Sequence, residues 1–397
     1  MTIATPLSTS SRWIVDKNGN RVKLAGANWA GAHEDLMVPG GLDRLNRSAI
    51  AGQLAAWGFN SVRFPFAGST VQDTAPVIPS TVAANPDLVG MTPWQVYQAC
   101  VASLTAAGIM VIPNFHLLYR GWCCSLSDTN GLWWNSNWPY STFLSIWQQV
   151  ATAFAGNPLV IGFDIKNEPR QATINGQVLN PTWGDGDTQT DFRWLYQQAG
   201  DVILAINPDA LIFCEGINSA GNLTGVASYP VQLAVPDRVV YSIHDYPQGW
   251  SPAETQAAYI ASQHSNAGYV TTAGEPYTAP LWIGEFGVAN DSMAAIGAGP
   301  VSYGDGLGAG PVSQPYGNWW SNFLAWAYER ADLDWCCWHL SGTHVQGTTP
   351  STNQLQYNLG DRCWDGLYAQ DWSGPANPAV IEALQSIMAP VSGPGVG

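Results

Sequence analysis

The stretch "VIGFDIKNE", residues 160–168, is followed by the amphipathic stretch "FRWLYQQAGDVILAI" at 192–206. The first stretch is a continuous apolar run up to its polar end, which is typical of a strand buried on both faces of a parallel sheet. The second stretch repeats its apolar residues with the period of a helix. Together they predict one strand–helix unit, and the apolar strand ends in the polar sequence Asn167–Glu168–Pro169.

Units of this kind recur along the chain, each with a helix or a short irregular segment after the strand. The other predicted strands are 22–29, 61–66, 110–116, 211–216, 239–246, 281–287 and 334–342. Eight such units predict an α/β fold, a (β/α)8 barrel. The alternative, a doubly wound open sheet, is less favoured because no GxGxxG follows an early strand. We expect a single domain over 12–390, with flexible termini at 1–11 and 391–397.

The composition narrows the classes of partner. The chain of 397 residues has 14 Lys+Arg against 29 Asp+Glu, a formal net charge of −15. Nucleic acids and anionic membranes are bound through clustered Lys and Arg, so we expect neither as a partner. A neutral ligand fits better, and 20 tryptophans offer flat rings on which a sugar can stack. The oligomeric state stays open.

The N-terminus, "MTIATPLSTSSRW", has no basic start followed by an apolar stretch. No signal peptide is therefore visible, which leaves a cytoplasmic protein or a secreted one whose signal has been removed. No CxxC pair is present among the seven cysteines, so a structural zinc site is not predicted. We expect Cys100, Cys214, Cys336 and Cys337 to be packed thiols, and leave the redox state of Cys123–Cys124 open.

Polar residues fall where the predicted strands end, and in a barrel of this type those ends form the active-site face. Each of them alone is most often a turn or structural residue, but together they indicate a site. The set is Arg63 within strand two, His116 ending strand three, Asn167 and Glu168 ending strand four, His244 and Tyr246 ending strand six, Glu285 ending strand seven and Trp338 within strand eight.

Two facing carboxylates are what cleavage of a glycosidic bond requires. One is protonated and gives its proton to the leaving oxygen, while the other attacks the anomeric carbon or activates water. No metal or cofactor is implied. A zinc cluster of His116, His244 and His339 could be proposed, but no short-range ligand pair such as HExxH accompanies them.

The elements "DIKNEP", "HDY" and "IGEFG", in this order, resemble glycoside hydrolase family 5, in the clan of retaining (β/α)8 hydrolases. The resemblance covers roughly residues 12–390. It implies that Glu168 is the general acid/base and Glu285 the nucleophile. It further implies the roles of substrate-binding or orienting residues for Arg63, His116, Asn167, His244 and Tyr246, and a stacking platform at Trp338.

Two loops depart from the cellulase-like pattern: "GAHEDL" at 31–36 and the aromatic, cysteine-bearing loop that follows His116 and extends to Trp138. We expect both to shape the substrate site. Tryptophans of the second loop would close one end of the cleft if they do not simply pack against the barrel. They are Trp122, Trp133, Trp134 and Trp138.

The predicted function is therefore a retaining β-glycoside hydrolase that releases a mono- or disaccharide from a small or aryl β-glucoside. The alternative is an endo-β-1,4-glucanase acting on polymeric glucan. A third reading, a carbohydrate-binding barrel without activity, is disfavoured because both glutamates are present.

Overall fold

The computed structural model describes residues 3–121, 123–124, 129–251, 253–287, 318–345, 363 and 365–396. It also gives the backbone of four two-residue strands at 303–304, 311–312, 347–348 and 356–357. Among these residues, no helix is long and apolar enough to cross a membrane.

Eight parallel strands close into a barrel in which neighbours along the chain are neighbours in the sheet, so the prediction of a (β/α)8 barrel is confirmed. The strands are β1 Ala25–Asn28, β2 Ser61–Ala67, β3 Met110–Leu117, β4 Gly162–Asp164, β5 Leu211–Glu215, β6 Val239–Asp245, β7 Leu281–Phe286 and β8 Leu333–Cys337.

Helices follow the strands as the amphipathic stretches predict, and a short helix is added after β2. They are α1 Arg47–Ala56, α2 Gly68–Gln72, α3 Pro93–Ala106, α4 Tyr140–Phe154, α5 Phe192–Leu204, α6 Gln256–Asn266, α7 Trp319–Glu329 and α8 Pro378–Gln385. The segment between β5 and β6 is irregular, as expected from the sequence after 211–216. Gly58 and Gly108 end α1 and α3 with positive φ angles of 95° and 80°, the left-handed conformation that glycine adopts without strain.

The hydrophobic core has two parts. The larger lies between the sheet and the helices, and includes Trp147 of α4, Trp326 of α7 and Phe64 of β2. The smaller is formed by strand residues such as Phe213 and Trp282, together with residues that precede the barrel: Leu7, Ile14, Val22 and Leu24. The N-terminal segment therefore packs against the end of the barrel opposite the carboxyl ends of the strands.

Both terminal segments make contacts within the described part of the chain. Ser8–Ser10 forms an antiparallel pair with Trp13–Val15, and Leu7 is buried. Near the other end of the chain, the carbonyl of Pro394 accepts a hydrogen bond from the amide of Arg21 at 2.7 Å. The sequence near both ends is short of apolar residues, but a few well-placed contacts are enough to hold it against the barrel.

Arg21 forms an ion pair with Asp334, the second residue of β8, and both side chains are fully buried. The carboxylate of Asp334 accepts from Arg21 Nη2 at 3.0 Å and from the amide of Leu24 at 2.6 Å. It thereby ties the start of β1 to β8, where the barrel closes.

We predict that Asp334→Ala lowers the free energy of unfolding by about 3–5 kcal/mol, because it leaves a buried guanidinium without its counter-charge. The measurement is urea denaturation followed by tryptophan fluorescence. The control is Asp87→Ala, which removes an exposed pair with Arg47 and is expected to cost less than about 1 kcal/mol. Equal losses in the two variants would contradict this account of barrel closure.

Candidate active site

The residues predicted from the strand ends come together around one cavity of about 760 Å³. Four residues differ in detail from the prediction, and one of them, Tyr246, follows the last residue of β6, Asp245. Asn167 and Glu168 lie beyond the last residue of β4, Asp164, and Trp338 follows the last residue of β8, Cys337. The cavity lining includes His116, Asn167, Glu168, His244, Tyr246, Glu285 and Trp338, and Arg63 lies directly behind it in contact with Glu285.

Arg63 is the hub of this site. It lies in the middle of β2, is fully buried, and uses all three of its guanidinium nitrogens. Such a buried cation is stabilised only when its hydrogen bonds are complete and its charge is balanced. Its acceptors are Asp164 at 2.6 Å, Asn28 at 2.9 Å, Asn167 at 2.7 Å, Glu215 at 2.9 Å and Glu285.

Glu285 is the more buried of the two predicted catalytic carboxylates, with 5% of its side chain exposed against 14% for Glu168. Besides Arg63, it accepts a hydrogen bond from the hydroxyl of Tyr246 at 2.9 Å. Burial raises the pKa of this carboxyl, and the charges of His244 and Arg63 oppose the rise.

Glu168 has a positive φ of 43°, a left-handed conformation that is uncommon for residues other than glycine. Its backbone amide donates to the carboxylate of Glu215 at 2.7 Å, which holds this turn in place. Its side-chain Oε1 lies 3.0 Å from His244 Nδ1. Because of this turn, the carboxylate of Glu168 faces the cavity.

The two carboxylates face each other across His244. An oxygen of Glu168, a ring nitrogen of His244 and an oxygen of Glu285 all lie within 4.8 Å of one another. Such proximity suits the separation of about 5–5.5 Å at which one carboxylate attacks the sugar directly. It leaves too little space for the water that separations of about 6.5–9.5 Å accommodate.

His244 is fully enclosed by acidic groups. Its Nδ1 lies near Glu168 and 3.6 Å from Glu285, and its Nε2 lies 3.5 Å from Glu215. Burial alone would lower the pKa of His244, but the charges of Glu285 and Glu215 outweigh it and raise that pKa to about 10. The ring is therefore a cation at neutral pH.

Asn167, His116 and Trp338 line the cavity beside the carboxylates. The side-chain oxygen of Asn167 accepts from Arg63, so its amide nitrogen is directed away from Arg63. The ring of His116 stacks on Trp338, with centroids 5.5 Å apart and an angle of 13° between the planes. Burial lowers the pKa of His116, and its Nδ1 bonds Asn114 Oδ1 at 2.9 Å. This neutral ring supports the indole from behind.

The three histidines that a zinc cluster would require have separate partners in this structure. His116 bonds Asn114, His244 lies among the carboxylates, and His339 Nε2 is 3.4 Å from Asp365.

The structure adds residues that the sequence analysis missed. Glu215 ends β5 and bonds both Arg63 and the amide of Glu168, while Asp164 ends β4 and bonds Arg63. Both were acidic residues inside apolar strands, which is the signal that could have identified them. Cys123 and Cys124, whose redox state the sequence left open, also line the cavity.

The described tryptophans of the loop after β3 lie away from the catalytic cavity. Trp133 is buried against Phe192 of α5, with ring centroids 5.0 Å apart. Trp134 donates to the carbonyl of Gln189 at 2.9 Å, and Trp138 packs on Gly68. None of these three lines the catalytic cavity, and Trp122 lies outside the described residues. These tryptophans thus fix the loop to the barrel.

The polar residues of the loop after β1 are buried behind the cavity. His33 lies under His116, with ring centroids 4.2 Å apart, and Glu34 accepts from the amide of Val345 at 2.8 Å. Burial raises the pKa of Glu34 to about 7. This loop therefore supports the cavity from behind, and its histidine and glutamate do not line it.

We predict that Glu215→Gln lowers the pKa of His244 by about one unit or more, because the variant keeps the shape of the side chain but removes one of the anions that stabilise the imidazolium. The pKa is measured by NMR titration of the histidine ring. The control is Glu275→Gln on the exposed surface, which should leave it unchanged. An unaltered His244 pKa in Glu215→Gln would show that the acidic surroundings do not hold the ring in its charged form.

Comparisons with known proteins agree with this geometry. The model of the cellulase family, glycosyl hydrolase family 5, matches residues 15–343. An endoglucanase of Paenibacillus polymyxa is 33% identical over 303 residues, which cover 72% of each chain. A glycosyl hydrolase 5 family protein of Chamaecyparis obtusa is 28% identical, over 98% of this chain and 67% of that protein. The endocellulase of Pyrococcus horikoshii, as a variant in complex with cellotetraose, superposes with a TM-score of 0.74 at 25% identity, over 98% of this chain and 100% of that one. This chain belongs to glycosyl hydrolase family 5 and is a glycosidase that hydrolyses O-glycosyl bonds.

Proposed function

We propose that this protein is an endo-β-1,4-glucanase that cleaves a polymeric glucan by double displacement, with Glu285 as nucleophile and Glu168 as general acid/base. The observation that carries the mechanism is the approach of the two carboxylates to within 4.8 Å on either side of His244. The choice of a polymer revises the expectation from the sequence, which favoured small or aryl glycosides.

In the first step, an oxygen of Glu285 attacks the anomeric carbon and Glu168 gives its proton to the departing glycosidic oxygen. Arg63 and Tyr246 both bond the carboxylate of Glu285, which fixes its orientation and favours its ionised form. Arg63 also restricts Asn167, whose amide nitrogen is on the side away from Arg63 and can donate to the hydroxyl beside the anomeric carbon. Trp338 provides the apolar face on which the sugar ring rests.

In the second step, water attacks the anomeric carbon of the glycosyl ester and Glu168 takes its proton. Once Glu285 is esterified, one negative charge has left the group around His244. The remaining positive charge of His244, 3.0 Å from Glu168, then favours the carboxylate form that must act as base. Two inversions at the same carbon leave its configuration retained.

Two observations support a polymeric substrate. The relatives that match over most of their length include an endoglucanase, and the matching solved structures include an endocellulase in complex with cellotetraose. In addition, Trp133, Trp134 and Trp138, three of the four tryptophans that would have closed one end of the cleft, do not line the catalytic cavity. A second cavity of about 710 Å³ follows β3, and among its lining residues are the exposed ring of Tyr119 and the half-buried Trp138. Aromatic rings of this kind suit further sugar units of a long chain.

We predict that Glu285→Ala abolishes turnover and that azide restores it, with a glycosyl azide of inverted configuration as product. Glu168→Ala should lose about 10²–10⁴-fold on substrates that need a proton, and far less on dinitrophenyl glycosides, whose leaving group departs without one. The products are identified by NMR. The control is Glu275→Gln, which should match wild type. If azide acted alike on both alanine variants, the two roles would be wrongly assigned.

We also predict that the enzyme causes an early fall in the viscosity of carboxymethylcellulose while few reducing ends are formed, because internal cuts shorten a polymer quickly. Nitrophenyl β-glucoside should be cleaved more slowly, since it occupies only a small part of the cleft. Viscometry, reducing-sugar assays and chromatography of the products follow the reaction. Rapid cleavage of aryl glycosides with unchanged viscosity would contradict this prediction and favour an enzyme that acts on small glycosides.

A further inference from the structure

Asp245 is the one residue of the "HDY" element, 244–246, that the proposed mechanism does not use. It is buried, and its carboxylate accepts hydrogen bonds from three aromatic side chains. The donors are the indole of Trp250 at 2.7 Å, the hydroxyl of Tyr259 at 2.5 Å and the indole of Trp319 at 3.2 Å. A buried carboxylate is stable only when it is bonded in this way. Asp245 therefore ties the loop after β6 to helices α6 and α7.

Trp250 is the member of this group that reaches the catalytic cavity. Its indole nitrogen is bonded to Asp245, and its ring lies against the ring of Tyr259 with centroids 4.5 Å apart. The residue is half-buried and lines the cavity. Gln263 of α6 also lines the cavity and donates to the hydroxyl of Tyr259 at 3.0 Å. The indole is thus held from two sides while part of its surface stays open to a ligand.

The order of the strands places Trp250 on the opposite side of the catalytic pair from Trp338. Glu168 follows β4 and Glu285 lies on β7, so the line between them divides the ring of strands into two parts. One part, β8 and β1 to β3, carries Trp338 and His116. The other part is β5 and β6, and Trp250 follows β6. If the sugar that is attacked rests on Trp338, the leaving group lies beside Trp250.

The loop after β5 brings polar groups to the same part of the cavity. Asn218, Ser219 and Ala220 have φ angles of 56°, 53° and 61°, three left-handed residues in succession. Such residues persist only where their surroundings determine them, and they cluster at functional sites. Here the amide of Ser219 donates to the carbonyl of Pro169 at 2.8 Å, and the carbonyl of Ala220 accepts from the amide of His244 at 3.1 Å. Asn218 and Ser219 both line the cavity.

We propose that Trp250 is the platform on which the leaving-group sugar stacks, and that Asp245 is the positioning residue that holds it. The inference rests on the proposed function, because cleavage of a glucan defines which sugar leaves. An indole offers a broad apolar surface to one face of a pyranose ring, and Asn218 and Ser219 can bond its hydroxyl groups. A ring that is already fixed loses little freedom when the sugar binds, so the bond to Asp245 favours sugars over small leaving groups.

The test compares two substrates that share a cellobiosyl group and differ in what leaves. Cellotetraose cut at its central bond releases cellobiose, whereas β-cellobiosyl fluoride releases fluoride, which occupies no sugar site. The quantity measured is the ratio of kcat/KM for cellotetraose to kcat/KM for the fluoride. Both values come from one preparation, so the ratio does not depend on the fraction of enzyme that is folded.

Trp250→Ala should lower this ratio about tenfold or more, because only the sugar leaving group loses a contact. Trp250→Phe keeps an aromatic ring without the indole N–H and should lower the ratio less. The matched control is Trp94→Ala, which removes a half-buried tryptophan of α3 that lines neither cavity, and its ratio should match wild type.

A double-mutant cycle tests the role of Asp245. Asp245→Asn keeps the shape of the side chain but removes its charge and one acceptor, and should lower the ratio about threefold or more in the wild-type background. In the Trp250→Ala background it should have almost no further effect, because the indole that it positions is gone. An equal fall in both backgrounds would show that Asp245 acts through His244, its neighbour in the chain, and would overturn the positioning role.

Failure of this inference and failure of the proposed function give different results. Turnover of both substrates with an unchanged ratio in Trp250→Ala would overturn the inference and leave the proposed function intact. A wild-type enzyme that cleaves neither cellotetraose nor longer glucans would contradict the proposed function, and the inference would fall with it.

Discussion

The guanidinium of Arg63 is the interaction on which the site depends. It is fully buried at the centre of the barrel, and its five partners come from four other strands or the turns that follow them. Burial and the nearby charge of Glu215 raise the pKa of Asp164 to about 8. Burial of so many acidic groups is tolerable because the guanidinium of Arg63 and the ring of His244 lie among them and offset their charge.

The carboxylate of Glu215 explains the unusual backbone conformation of Glu168. A left-handed residue costs of order 1 kcal/mol or more and persists only where its surroundings determine it. Glu215 provides that constraint, since one carboxylate oxygen receives Arg63 and the other receives the amide of Glu168. The carboxylate of Glu215 therefore links Arg63 to the backbone of Glu168, the proposed general acid/base. A register shift between Ile243 and His244 of β6 places the histidine against both glutamates in a similar manner.

The loop after β3 illustrates how composition can mislead about a substrate. Its tryptophans could stack on sugars or pack on the barrel, and nothing in their spacing separates the two. In the structure, the indoles of Trp133, Trp134 and Trp138 serve to attach the loop. The cysteine pair of the same loop is what lies beside Asn167 and Glu168. The two cysteines of this loop thus line the catalytic cavity, whereas Trp133, Trp134 and Trp138 do not.

The sequence by itself determined the barrel and the membership of its site. Continuous apolar runs alternating with amphipathic stretches have few other solutions than a parallel sheet covered by helices, and in a closed barrel all the strand ends meet on one face. Residues as far apart in sequence as Arg63 and Trp338 could therefore be assigned to one site. Tertiary structure alone decided the electrostatics, because burial and pairwise distances set each charge. Desolvation raises the pKa of Glu285 more than the charges of His244 and Arg63 lower it. The roles of Glu215 and Asp164 likewise arise only when strands distant in sequence bring their carboxylates within hydrogen-bonding distance of one guanidinium.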